Sequence, residues 1–292
     1  MTKILNYGAM NIDYIFEVPH FVMPGESLTA LKRTRSIGGK GTNQSVALAR
    51  AGAEVYHAAC IGEDGLFIRD FLQEAGADVS RVSVVPEANG QALIQLTPEG
   101  QNCIVYYPGA NHSVTEEKIE KDLEGFGAGD WVLLQNEITG NAAIMKKAHE
   151  KGMKIALNPS PVDSQLDTYP LDLVSCFIVN EVEGEALTGE KEPEKILSAF
   201  RKKYPAAILV LTLGTKGSYY SDPEKTFFQD IFPCKAVDTT AAGDTFSGYF
   251  FAGLLSGDPP EICMKRAAKA SSIAVTRMGA SPSIPRKEEV EI

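Results

Sequence analysis

The sequence predicts an α/β fold: a three-layer sandwich with a central, mostly parallel sheet flanked by helices, plus a small β-sheet lid. Three observations lead there. From Trp131 onward, short apolar runs at 131–135, 154–158, 176–179 and 207–213 are interleaved with helical patterns at 141–150 and 194–203. Short continuous apolar runs suit strands covered on both faces, and the β-α rhythm suits right-handed crossovers between parallel strands. The stretches near 11–35 and 90–108 differ, carrying alternating strands and a turn at Pro98-Glu99-Gly100-Gln101. They read as a β-layer too small to fold alone. With no internal repeat and no Pro/Ser-rich linker, residues 1–292 are expected to form a single α/β domain, with a discontinuous lid from about 11–35 and 90–108.

The outer limits agree. A chain of 292 residues that is 44% hydrophobic can fill a sizeable core. Its net charge of −10 and pI near 5.0, with no Lys/Arg-rich run, disfavour nucleic acid or an anionic membrane as partner. No apolar run approaches the roughly 20 residues of a spanning helix. Met1-Thr2-Lys3 leads straight into an apolar strand, so a cytoplasmic location is expected. Cysteines 60, 103, 176, 234 and 263 are odd in number and form no C-x-x-C pair; they read as reduced, buried thiols.

Taken in order, 3–8 is a first buried strand, and Asn11 and Asp13 follow on one extended face. Two residues apart, they project together as an amide and a carboxylate able to hold neighbouring hydroxyls, or they form an exposed strand end. Residues 27–35 suit a strand with one exposed face. Ser36-Ile37-Gly38-Gly39-Lys40-Gly41-Thr42-Asn43-Gln44 then precedes a helix over 45–51. Its glycines permit close backbone approach, yet Gly41 stands where a P-loop needs Ser or Thr. Asn43 caps the helix or binds a hydroxyl. A strand at 55–61, a helix at 67–75 and strands near 82–85, 91–97 and 103–107 come next. Polar residues recur just past the later strands: Glu137, Asn158, Asn180, Glu183, Thr212 and Gly214. In parallel sheets this rim is where ligands sit.

The densest signal lies in residues 237–248. Phe246, Phe250, Phe251, Leu254 and Leu255 recur at helical spacing, so a helix starts near Ala241 or Ala242. Its unpaired N–H groups over Ala241-Ala242-Gly243 form an anion site, and Asp244 beside them is placed to take a proton. The plain alternative is a helix capped by Thr239 or Thr240 with Asp244 as a first-turn acid.

Asn11-Ile12-Asp13, the Gly-Gly-Lys-Gly-Thr-Asn-Gln stretch at 38–44, and residues 108–111, 158–161, 180–183, 212–217 and 238–244 together resemble the ribokinase-type (PfkB) carbohydrate kinase family. That family also holds adenosine kinase and bacterial fructokinases. The resemblance extends over nearly the whole chain, and it implies a ribokinase-like fold. It also implies transfer of the ATP γ-phosphate to a sugar hydroxyl, with Asp244 as base and Ala241, Ala242 and Gly243 as anion hole. By the same resemblance Asn11, Asp13, Gly39, Lys40, Asn43 and Glu137 bind the sugar, and Asn180, Thr212, Gly214 and Gly217 line the nucleotide. Glu183 acts through water on Mg2+. A monovalent cation, usually K+, is held at Asp238, Thr240, Ala274, Arg277, Gly279 and Ser283, mainly by backbone oxygens. Alternatively, Arg277 pairs with Asp238 or another acid and no ion is needed.

So polar a sugar set suits a bare sugar better than a nucleoside, and D-ribose is the first choice. Deoxyribose, fructose, another ketose or a nucleoside remain alternatives, as does a catalytically silent sugar or nucleotide sensor on the same fold. Apolar positions in the β-layer, among them Ile15, Phe16, Phe21, Leu93, Ile94 and Val105, predict a homodimer joined through the lids.

Overall fold

The computed structural model describes residues 2–292. Along the chain, β1 (Ile4–Tyr7), β2 (Asn11–Glu17) and β3 (Lys32–Gly38) precede α1 (Lys40–Arg50), and β4 (Val55–Ile61), α2 (Leu66–Glu74) and β5 (Asp78–Val84) follow. The hairpin β6 (Gly90–Leu96) and β7 (Asn102–Tyr107) leads to α3 (Glu116–Asp122), β8 (Trp131–Gln135), α4 (Asn141–Glu150), β9 (Lys154–Asn158) and β10 (Cys176–Asn180). After α5 (Glu181–Thr188) and α6 (Pro193–Lys203) come β11 (Ile208–Thr212), β12 (Ser218–Ser221), β13 (Thr226–Gln229), α7 (Ala242–Ser256) and α8 (Pro260–Ala274).

Nine strands form the large sheet in the order β13-β12-β11-β10-β9-β8-β1-β4-β5, all parallel except β12, which pairs antiparallel with both β11 and β13. Period-two alternation divides its side chains between two cores. Ile4, Leu133, Ala156, Ile178 and Val210 face the layer of α1, α2, α7 and α8; Leu5, Leu134, Leu157, Val179 and Leu211 face α3 to α6. Because the chain winds outward from β1 in both directions, a crevice opens between the carboxyl ends of β1 and β8. The site is built at that crevice.

α7 is anchored beneath it by Phe246, Tyr249, Phe250 and Phe251, all buried. Burial of side chains this large is worth roughly 2–3 kcal/mol each. Gly248 lets α7 reach α1, since a Cβ there would lie 2.3 Å from the Cβ of Ala47. The two helices that carry the chemistry are thereby packed as one unit. A second sheet, β3-β2-β6-β7, stands beside the first. Its outer strand β7 is exposed at every residue.

Several expectations are corrected. The strand expected at 27–35 forms as Lys32–Gly38, with Leu31 exposed, because β3 takes its register from β2. The helix expected at 45–51 starts at Lys40: Gly39, at φ 92, begins it without a side-chain cap, and Gly41 packs on the backbone of Gly8. Close packing there overrides the low helix propensity of Gly and Thr. α3, α5 and the β12–β13 hairpin are additions. All five cysteines are free, but Cys103 and Cys234 are exposed, since each lies on a segment with no layer over it.

Candidate active site

The N-terminus of α7 is open. Ala241 holds the N-cap position at φ 60 and no side chain caps the helix, so neither Thr239 nor Thr240 closes it. The Ala242 N–H bonds to the Thr239 carbonyl at 3.2 Å. Gly243 and Asp244, at the next two positions, line a polar cavity of about 170 Å³ with Lys40, Asn158, Asn180, Glu183 and Thr212. A Cβ at Gly243 would meet nothing within 4 Å. Donors, dipole and free space there suit an anion.

Asp244 is held by the first turn of α1. Asn43 donates through Nδ2 to Oδ2 at 2.9 Å, and Gln44 donates through Nε2 to Oδ1 at 2.9 Å. Ser281 in turn donates to Asn43 Oδ1 at 2.6 Å. Asn43 is thus inside the helix rather than at its cap.

On the β2 side the carboxyl groups crowd. Glu137 Oε2 accepts the Lys40 backbone N–H at 2.8 Å. Burial, then the opposing charge of Lys40, sets Glu137 at about 7. Asp13 is likewise pushed up to about 7, by burial first and the neighbouring Glu137 second. Burial opposes the charge on Lys40, but Asp244, Glu137, Glu183 and Asp13 together hold its pKa above the ordinary lysine value. Asn11 is fixed by Asn111, which donates to its Oδ1 at 2.7 Å and also to the Tyr106 hydroxyl at 3.0 Å. Gly39 lies where a Cβ would stand 2.6 Å from the Ala9 carbonyl. Two half-buried acids, one of them tied to the Lys40 N–H, beside a lysine, an amide and a base make a pocket for a molecule rich in hydroxyl donors.

On the other side of α7 lies a slot of about 300 Å³. It is walled by Ile231, Phe232, Ala268 and Val275 and floored by Thr212, Gly214 and Gly217. It shares Thr212, Thr239, Ala242 and Gly243 with the polar cavity, so the two are continuous around the helix N-terminus. An apolar slot opening onto an anion site fits a flat base joined to phosphates. The sequence had pointed to the glycines and Thr212 but not to the apolar walls, which come from segments without a shared pattern. Asn180 and Glu183 form a capping box on α5, with Glu183 also accepting from Asn158 at 3.3 Å.

The pfkB family carbohydrate kinase model matches residues 1–287. The chain belongs to the pfkB family of carbohydrate kinases. Among relatives of this pfkB kinase, the ribokinase of Haemophilus influenzae is 35% identical, covering 97% of this chain and 95% of its own. The deoxyribokinase of Salmonella typhi is 30% identical over 97% of this chain and 95% of its own. In structure, the pfkB kinase resembles Arabidopsis thaliana ribokinase complexed with ribose and ATP. That similarity has a TM-score of 0.88 and 31% identity, over 99% of this chain and 98% of the other.

In this pfkB kinase the two segments expected around a cation do meet. Asp238 Oδ2 accepts the Gly279 N–H at 2.9 Å, and Oδ1 accepts the N–H of Thr240 at 2.9 Å and its hydroxyl at 2.6 Å. Burial opposes ionisation of Asp238, but these donors hold its carboxyl below the usual range. Arg277 pairs with Glu289 rather than Asp238. Ala274 ends α8, and Ser283 donates to the Ala280 carbonyl at 2.8 Å.

Proposed function

We propose that this pfkB kinase transfers the γ-phosphate of ATP to the primary hydroxyl of a small sugar, D-ribose first, giving D-ribose 5-phosphate and ADP. The observation that carries the reading is the position of Asp244. It stands between a pocket of buried carboxyls and an uncapped helix N-terminus, with an apolar slot beyond. A sugar hydroxyl held against Asp244 gives up its proton to the carboxylate as its oxygen bonds to the γ-phosphorus and the bond to the ADP oxygen breaks. The N–H groups of Gly243 and Asp244 then meet charge on the transferring phosphoryl group, and Lys40 adds a cation from the sugar side. Asn11, Asp13, Asn43 and Glu137 hold the remaining hydroxyls. Retention of a base beside the anion site argues against a silent sensor.

No group of three or more His, Cys, Asp or Glu suited to hold a metal ion occurs among the described residues. That fits Mg2+ carried mainly by phosphates and water, with Glu183 acting through water. Bound there, Mg2+ supplies charge neutralisation. Asp238, Thr240, Ala274, Arg277, Gly279 and Ser283 offer one ionised carboxylate and backbone carbonyls, hard oxygen donors suited to K+. The ion would steady the loop that presents Ala241 to Gly243. The β3-β2-β6-β7 sheet acts as the lid of this single domain. Ile104, Val105, Tyr106 and Tyr107 on its exposed edge, with Leu93, support a homodimer through the lids. Use of ATP is compatible with the cytoplasmic location expected from the sequence.

The deoxyribokinase relative favours deoxyribose as the second reading. The pocket discriminates by hydroxyl count: a sugar one hydroxyl short leaves Asp13, Asn11 or Glu137 without a donor. An ADP-release assay across ribose, deoxyribose, fructose, other ketoses and nucleosides tests the choice. Ribose should give the highest kcat/KM, and turnover with none of them would sink the kinase reading.

A further inference from the structure

Asp244 is reached by a directed series of buried amides that begins at the backbone of α1. The carbonyl of Gly41 can only accept, so the Asn6 side chain must turn its Nδ2 toward it, at 2.8 Å. Asn6 Oδ1 therefore faces the other way and accepts from Gln135 Nε2 at 2.9 Å. The second Gln135 N–H is then directed to Gln44 Oε1 at 2.7 Å. With its oxygen so engaged, Gln44 presents Nε2 to Asp244 Oδ1 at 2.9 Å, with a longer contact to Asn158 Oδ1 at 3.2 Å. Asn6, Gln44 and Gln135 are fully buried. Behind Asn6 the series continues through Ser45 (2.7 Å) to His57 (2.8 Å). Burial drives the His57 pKa down to about 3, so it stays neutral and delivers no proton at working pH.

We propose that Gln44 is the positioning residue for the base, its amide locked donor-first onto Asp244 by Gln135 and Asn6. The proposal rests on the reading of Asp244 as base. A carboxylate on the first turn of a helix has two free torsions, and a proton transfer in line with phosphoryl transfer tolerates little misplacement. Asn43 holds Oδ2 but belongs to the sugar pocket. Gln44 has no such second task, and a buried amide series whose polarity is fixed from the Gly41 carbonyl to Gln44 holds Asp244 in one orientation. A reversed amide at Gln44 would put an oxygen against Asp244 and break the bond to Gln135 as well.

The test is a kinetic double-mutant cycle with Gln44→Met and Gln44→Glu, each made in the natural chain and in Asp244→Asn. Gln44→Met, which keeps the volume and removes the donor, should lower kcat about 10- to 100-fold, the range for one hydrogen bond to a charged group, with KM for sugar and ATP unchanged. Gln44→Glu, of equal shape but opposite polarity, should lose more than Gln44→Met. In the Asp244→Asn background Gln44→Met should cost less than about threefold, because the group it positions is gone. An equal loss in both backgrounds, or kcat within about threefold of the natural chain, overturns the proposal. Near-normal turnover of Asp244→Asn alone overturns the base reading instead. If Gln44→Met does not fold, Gln135→Met removes the same orientation one bond back and should lower kcat several-fold at constant KM; unchanged kcat there also refutes it.

Discussion

Sugar binding should expel protons. Burial pushes the carboxyls of Asp13 and Glu137 up to about 7 from ordinary values of 3.8 and 4.5, and at Asp13 the neighbouring Glu137 adds to the rise. A sugar hydroxyl that donates to either carboxylate stabilises the ionised form, so the complex binds fewer protons than the free enzyme. A carboxylate with a midpoint near 7 is about 9% ionised at pH 6 and about 91% at pH 8, so the apparent Kd should fall at least about tenfold over that span. Calorimetry in two buffers of different ionisation enthalpy at pH 7 should find about half a proton released per carboxylate, and Asp13→Asn should remove its share. A carboxyl whose folded pKa exceeds its unfolded one loses stability as pH rises from about 4 to 7 and levels above. Asp13→Asn should therefore raise Tm at pH 8 while it weakens sugar binding. A Kd flat within twofold from pH 6 to 8, with no buffer dependence of the enthalpy, would refute the assignment of these two acids to the sugar.

At Gly243 a methyl group has room in the fold but stands where the phosphate should lie. Gly243→Ala should leave stability unchanged or raise it by less than about 1 kcal/mol, while kcat/KM for ATP drops at least about tenfold; unchanged ATP kinetics would remove the anion site from this position. Replacing K+ by Li+ or tetramethylammonium at fixed ionic strength should lower turnover several-fold, and Asp238→Ala should erase the difference; equal rates in all three salts would mean that the Asp238–Gly279 contact suffices. Sedimentation at micromolar concentration should show a dimer, and Val105→Lys on the exposed β7 should shift it to monomer. A monomer throughout would leave the lid edge uncovered.

Strands β8 to β11 were legible because they are buried on both faces, and 131–135, 141–150 and 154–158 appear within the bounds that the apolar runs mark. The start of α1 was not. Gly39, Gly41 and Thr42 carry no helical preference, and only the packing of Gly41 onto Gly8 selects that turn. Asp244, the rim residues and the glycine stretch were visible as chemistry at known positions. The apolar slot was not, because Ile231, Phe232, Ala268 and Val275 come from segments separated in sequence and meet only when α8 packs under β13. Gln44 was visible in the glycine stretch without a role, and Gln135 escaped altogether. Gln135 ends the apolar run of β8 and is itself fully buried, so it read as part of the strand and not as a rim residue.

The most direct measurement is single-turnover phosphoryl transfer from γ-labelled ATP to ribose in the natural chain and in Asp244→Asn. The substitution keeps the size and the contact surface and takes away the proton acceptor. Transfer should slow by about 10²- to 10⁴-fold while the Kd for ribose, measured by calorimetry, stays within a few-fold. Transfer at a near-normal rate in Asp244→Asn would contradict the central role given to this carboxylate.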